Sequence, residues 1–202
     1  SNYVRVAAAA ARKMGMDIHI QLEERVANPP AIYRHSGNVL LNRVLGATLH
    51  SYPEGEDEAG ADRNLEAIAG SLRQDGKNPY IIHLSPDQPP LGALGYVVAA
   101  QEIMMQLDES NLNIDEIIVA SGSGMTHAGL LFGLRALGSF IPVKGICVRR
   151  SKNMQRPRLV ERCQQIADFL EMKNPVPDED VEVNDDALAP GYGTMNDAVY
   201  EA

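Results

Sequence analysis

The stretch from Ile114 to Gly138 constrains this chain more than any other. It begins as a short apolar, β-branched run, Ile114-Asp-Glu-Ile-Ile-Val-Ala120. A loop of small and hydroxyl residues follows, Ser121-Gly-Ser-Gly-Met-Thr126, and then an apolar segment of helical length from His127 to Gly138. That order predicts a strand, a tight loop and a helix. Backbone N–H groups at a helix N-terminus have no intrahelical partner and sit at the positive end of the helix dipole, so such a loop can wrap an anion. Ser121, Ser123 and Thr126 add hydroxyl donors. Gly/Ser loops of this kind also serve as plain connections in α/β folds, and the stretch alone leaves both readings open. Two familiar phosphate fingerprints do not apply. No Gly-Lys-Ser/Thr follows the loop, and Met125 stands where the dinucleotide fingerprint requires a small residue.

The rest of the chain alternates strand and helix patterns. Ser1 and Asn2 are strong N-cap residues before a helix from Tyr3 to Met14. Strands are expected over 17–22, 47–52, 79–84, 143–149 and 181–184. Helices are expected over 37–46, about 61–74, 91–107 and 155–172. The small residues Gly92, Ala93, Gly95, Ala99 and Ala100 suit close packing of the 91–107 helix against a sheet. This alternation implies an α/β architecture of open, mainly parallel twisted sheets with helices on both faces. Ligands in such sheets bind at the carboxyl ends of strands, where the 121–126 loop falls.

With 202 residues and 45% hydrophobic content, the chain can bury the core of one domain or two small lobes. A net charge of -9 and a pI near 5.0 argue against nucleic-acid and anionic-membrane partners and favour small-molecule chemistry. No run approaches the roughly 18 apolar residues of a membrane span. Cys147 and Cys163 lack the close spacing of a metal site or disulfide framework, so a reducing cytoplasm is the expected location. His127 reads as a packing or capping residue in a first helical turn, and His19 and His83 as core or cross-strand residues.

Five motifs in order carry a resemblance. They are Ser1-Asn2-Tyr3-Val4-Arg5 before an alanine-rich helix, Gly37-Asn38-Val-Leu-Leu41, Leu91-Gly-Ala-Leu-Gly-Tyr96, Ala120-Ser-Gly-Ser-Gly-Met-Thr-His-Ala-Gly129 and Ala189-Pro-Gly-Tyr-Gly193. Together they resemble the D-cysteine desulfhydrase and 1-aminocyclopropane-1-carboxylate deaminase family, which uses pyridoxal 5′-phosphate on the tryptophan synthase β fold. The resemblance implies a smaller lobe plus crossover over 1–90 and a larger phosphate-binding lobe over 91–202. It implies that Ser121, Gly122, Ser123, Gly124, Met125 and Thr126 hold the cofactor phosphate and that Asn2 hydrogen-bonds the pyridine 3′-oxygen. Ser1 would contact the substrate carboxylate or help move a proton, and Tyr192 would flank the substrate. It further implies a homodimer acting on a small amino acid, most simply by β-elimination from D-cysteine.

The same resemblance makes this chain a central fragment. The family's Schiff-base lysine is expected upstream of Ser1, and none of Lys13, Lys77, Lys144, Lys152 and Lys173 suits that role. Three departures stand near the pocket: Tyr3, Met125, and the turn Ser85-Pro-Asp-Gln88. Met125 is tolerable in the loop if its φ is negative. The departures leave a deaminase of the cyclopropane substrate or a cysteate-type lyase as alternatives, and a non-catalytic phosphate-ligand-binding fragment as the alternative outside catalysis.

Overall fold

Parallel strands joined through helices make up both halves of the chain, as the alternating patterns predict. The structure is a computed structural model and describes every residue except Ser1, Ala27, Leu84, Tyr192, Gly193, Thr194 and Ala202. Its contacts divide it into two compact units, Ser1–His83 and Leu84–Ala202.

The first unit holds α1 (Asn2–Lys13), β1 (His19–Glu23), a 3-10 turn (Ala31–Arg34), α2 (Gly37–Val44), β2 (Thr48–Tyr52) and α3 (Glu58–Gln74). Strands β1 and β2 run parallel, with His19 opposite Thr48 and Glu23 opposite Tyr52. Ala8, Ile18 and Ile20 form the buried centre, with Val4, Ala11, Leu22, Leu45, Ala47 and Leu49 packed around them. Asp57 starts α3 by accepting the Gly60 N–H at 2.8 Å, the usual N-cap arrangement, and accepts the Tyr52 hydroxyl at 2.8 Å as well.

The second unit holds α4 (Leu91–Glu109), β3 (Ile117–Ser121), α5 (Met125–Ala136), β4 (Val143–Cys147), α6 (Lys152–Phe169), β5 (Glu182–Asn184) and α7 (Asp197–Glu201). Its sheet has the order β3-β4-β5, all parallel, with Ile117 opposite Val143 and Lys144 opposite Glu182. Helix α5 is buried continuously from His127 to Leu134, as expected of a helix apolar on every face. Around it lie Val143 of β4 and Leu159, Cys163, Ile166 and Ala167 of α6.

Three expectations are corrected. Residues 79–83 form no strand. β1 and β2 pair only with each other among the described residues, so this β-prone stretch has no ladder to join, and Tyr80 is 78% exposed. Asn2 lies within α1, and its side-chain oxygen accepts from Asn38 Nδ2 at 2.9 Å. Of the small residues of α4, the buried Ala93 and Ala100 serve a helix rather than a sheet. A Cβ on Gly133 would come within 2.6 Å of the Ala100 Cβ and the Val97 carbonyl, and one on Gly129 within 2.7 Å of the Tyr96 Cβ. Gly129 and Gly133 thus let α5 lie directly on α4, whereas a Cβ on Gly92 or Gly95 would meet nothing within 4 Å.

Gly133→Ala is therefore expected to lower the free energy of unfolding by about 1–3 kcal/mol through overpacking, despite the better helix propensity of alanine. Gly92→Ala should raise it by up to about 1 kcal/mol. Urea titration of both variants checks the pair, and equal effects at the two positions would remove the glycine seam as the reason for this packing.

Candidate functional site

Alternation along β3 decides where its last residue points. Ile117 and Val119 pack against the core of the second unit, and Ser121, two positions further on, is 1% exposed. Its hydroxyl lies 3.3 Å from His127 Nδ1 and 2.9 Å from Gln155 Nε2. The His127 Nε2 is 3.0 Å from the Val143 carbonyl. A carbonyl can only accept, so Nε2 carries the ring proton, Nδ1 accepts from the Ser121 hydroxyl, and Ser121 accepts from the Gln155 amide. This buried relay joins β3, α5, β4 and α6. It places the Ser121 hydroxyl inside the fold, away from the loop surface where the sequence suggested a phosphate donor.

The loop then turns outward. Gly122 is half-buried, Ser123 is exposed, and Gly124 is buried with φ of 90°. A Cβ on Gly124 would lie 3.2 Å from Leu159 Cδ2, so both the left-handed backbone and the approach to α6 call for glycine there. Met125 opens α5, and positive φ occurs at other non-glycine residues but not at this one. Its side chain packs against the core of the second unit. Methionine in this loop is thus accommodated by pointing inward. Thr126 follows, half-buried, in the first turn.

Side chains of one helix and its approach fix the loop's carbonyls. The Gly122 carbonyl accepts from Gln155 Nε2 at 3.1 Å and from Arg150 at 3.2 Å, and the Ser123 carbonyl accepts from Arg158 Nε at 3.0 Å. In a trans peptide the N–H points opposite to the C=O. The amides of Ser123 and Gly124 are therefore turned away from α6. They join the first-turn N–H groups of α5 that have no intrahelical partner, at the positive end of its dipole. Met125 N–H is 3.4 Å from Ser123 Oγ. Outward amides, an exposed serine and a helix N-terminus form a donor set that fits a phosphate monoester.

Further along α6, Arg162 is 1% exposed. Its guanidinium donates to the carbonyls of Ser85 at 3.2 Å, Pro86 at 3.2 Å and Gln88 at 3.3 Å, and Gln165 Nε2 donates to Pro86 at 2.9 Å. The turn that departs from the family pattern is thus held by its main chain. Gln155, Arg158, Arg162 and Gln165 went unnoticed in the sequence. The available signal was polar residues at 155 and 162 on the same helical face as Leu159 and Ile166.

Asn2 belongs to the first unit, where Asn38 fixes its amide. Ser1 and Tyr192 lie outside the described residues. Two of the lysines are ion-paired, Lys77 with Asp17 at 2.9 Å and Lys144 with Glu116 at 2.7 Å. Each partner carboxylate holds its ammonium above the usual lysine range, so neither is a poised amine nucleophile.

Compared with known protein families, residues 1–202 match the family described as pyridoxal-phosphate dependent enzyme. The chain belongs to that family. D-cysteine desulfhydrase of Salmonella typhi is 35% identical over all 202 residues of the chain, which span 59% of that relative's length. The crystal structure of an ACC deaminase homologue superposes with a TM-score of 0.73 at 33% identity, covering 92% of this chain and 52% of that one. O-ureido-L-serine synthase matches at a TM-score of 0.56 and 15% identity, over 76% of this chain and 44% of that one, a likeness of fold alone. The parallel α/β organisation is thus that of pyridoxal-phosphate enzymes of this fold, and the family's cofactor suits the donor set at the start of α5.

Burial lowers the His127 pKa from 6.5 to about 4. Between those values the unfolded chain binds a proton that the folded chain does not, so stability falls as pH drops through this window. The expected loss is roughly 3 kcal/mol between neutral pH and pH 4. It should shrink in a folded His127→Gln variant, and unfolding midpoints measured against pH in both proteins make the comparison.

Proposed function

We propose that this chain belongs to a pyridoxal-phosphate lyase that eliminates the β-substituent of a small amino acid. The observation that carries the proposal is the loop at the start of α5, with its carbonyls drawn onto α6 and its amides turned outward. The 35% identity to D-cysteine desulfhydrase over the whole chain favours D-cysteine as substrate. In that reaction D-cysteine and water give pyruvate, ammonia and hydrogen sulfide.

Each residue then has a physical task. The amides of Ser123, Gly124, Met125 and Thr126, with the hydroxyls of Ser123 and Thr126, would hold the phosphate. Gly122 and Ser121 support the loop from behind. Asn2 would donate its amide to the pyridine 3′-oxygen. Ser1 and Tyr192 would bind the substrate carboxylate or carry protons, for which a hydroxyl and a phenol are suitable groups. The bound cofactor supplies an electron sink for the carbanion at the substrate α-carbon.

A second reading rests on the ACC deaminase homologue, which superposes on 92% of the chain. It has the same site opening the ring of aminocyclopropane carboxylate to give 2-oxobutyrate and ammonia. We place the protein in the cytoplasm as a homodimer. Two free, buried thiols, Cys147 and Cys163, suit a reducing compartment, and no helix among the described residues is long and apolar enough to cross a membrane.

Full-length protein incubated with pyridoxal phosphate should show a visible absorbance band that borohydride abolishes. It should release equal amounts of pyruvate and sulfide from D-cysteine and no 2-oxobutyrate from the cyclopropane substrate. The reverse product pattern would select the deaminase, and protein with no such band would remove both enzymatic readings.

A further inference from the structure

Three side chains of the first unit form a hydrogen-bonded line whose direction is set at one end. Arg5 Nε donates to Asn38 Oδ1 at 3.2 Å, and Asn38 Nδ2 donates to Asn2 Oδ1 at 2.9 Å. A guanidinium has donors and no acceptor. The Asn38 atom facing Arg5 must therefore be its oxygen, which leaves its NH₂ to face Asn2. The Asn2 atom facing Asn38 must in turn be an oxygen, which leaves the Asn2 NH₂ as the free end of the line. An asparagine amide alone could present either end to a ligand, and here the arginine removes that choice. Arg5 and Asn38 are half-buried and Asn2 is exposed, so the fixed end of the line lies inside and its free end at the surface.

We propose that Asn38, oriented by Arg5, is a positioning residue that fixes the Asn2 amide as a hydrogen-bond donor toward an anionic ligand oxygen, the 3′-oxygen of the cofactor. This proposal rests on the function proposed above. It adds an orienting pair from α1 and α2 that neither the sequence motifs nor the relatives' names assign. Without Asn38 the Asn2 side chain is free to rotate and to turn its carbonyl toward the ligand, where two oxygens repel. Glycine at position 37, with φ of 52°, starts the helix that carries Asn38 to this place.

The test is a double-mutant cycle in the full-length protein loaded with pyridoxal phosphate, read as the pH at which the visible band titrates. A donor to the cofactor oxygen favours its charged form, so losing that donor moves the titration to higher pH. Asn2→Ala should raise the midpoint by about one pH unit, the size of a lost hydrogen bond to a charged group. Asn38→Leu should raise it by about half as much, and Arg5→Gln, which can donate or accept, should move it in the same direction if the leucine variant does not fold. In the Asn2→Ala background, Asn38→Leu should have no further effect, because a positioning residue acts only through the group it positions. Additive shifts overturn the proposal, as does an unmoved titration in folded Asn38→Leu protein. A role limited to stapling α1 to α2 would change the melting temperature and leave the titration in place. Failure of the functional reading itself would appear differently, as the absence of any visible band.

Discussion

The second unit depends on side chains of one helix reaching main-chain carbonyls of two loops. From α6, Gln155 and Arg158 hold the carbonyls of Gly122 and Ser123, and Arg162 with Gln165 holds those of Ser85, Pro86 and Gln88. Both sets lie on one strip because residues three and four apart share a helical face. Leu159, Cys163, Ile166 and Ala167 bury the adjoining strip and anchor the helix. Buried Gln155 and Arg162 donors without acceptors would cost free energy, so the loop carbonyls complete the core as much as the side chains shape the loops.

The relay of Gln155, Ser121, His127 and the Val143 carbonyl adds a second constraint on the same loop. It works only because Gly145 leaves room for the imidazole: a Cβ there would collide with the His127 ring. The neutral tautomer that burial enforces also supplies the acceptor that Ser121 needs, and hence frees Ser121 to accept from Gln155. Position, protonation state and hydrogen-bond direction are one problem at this site, and each is set by the strands and helices that the relay joins.

Most elements could be read from the sequence because their patterns are local. The strand, loop and helix of 114–138, the alternating strands and the family motifs all describe neighbours along the chain. Misreadings arose where partners are distant. The 79–84 stretch has strand-like residues, but whether it forms a strand depends on a ladder elsewhere. Asn2 has the composition of an N-cap, but Asn38, 36 residues away, takes its oxygen. The inward direction of Ser121 was readable from the alternation of Ile117, Val119 and Ser121, but the hydroxyl-rich composition of the loop masked it. Gln155 and Arg162 resemble ordinary helix-surface residues until the loops that cover them are in place.

Because α6 grips backbone atoms, its hold on the 85–88 turn is nearly indifferent to which residues occupy the turn. Every residue type offers a carbonyl, proline included, so Ser85-Pro-Asp-Gln88 can replace another sequence without loosening the attachment. The attachment of such a turn does not depend on its side chains, although Ser85 is itself buried. The scaffold thus separates the path of this turn, held through carbonyls that every residue offers, from the exposed side chain that it carries at Asp87.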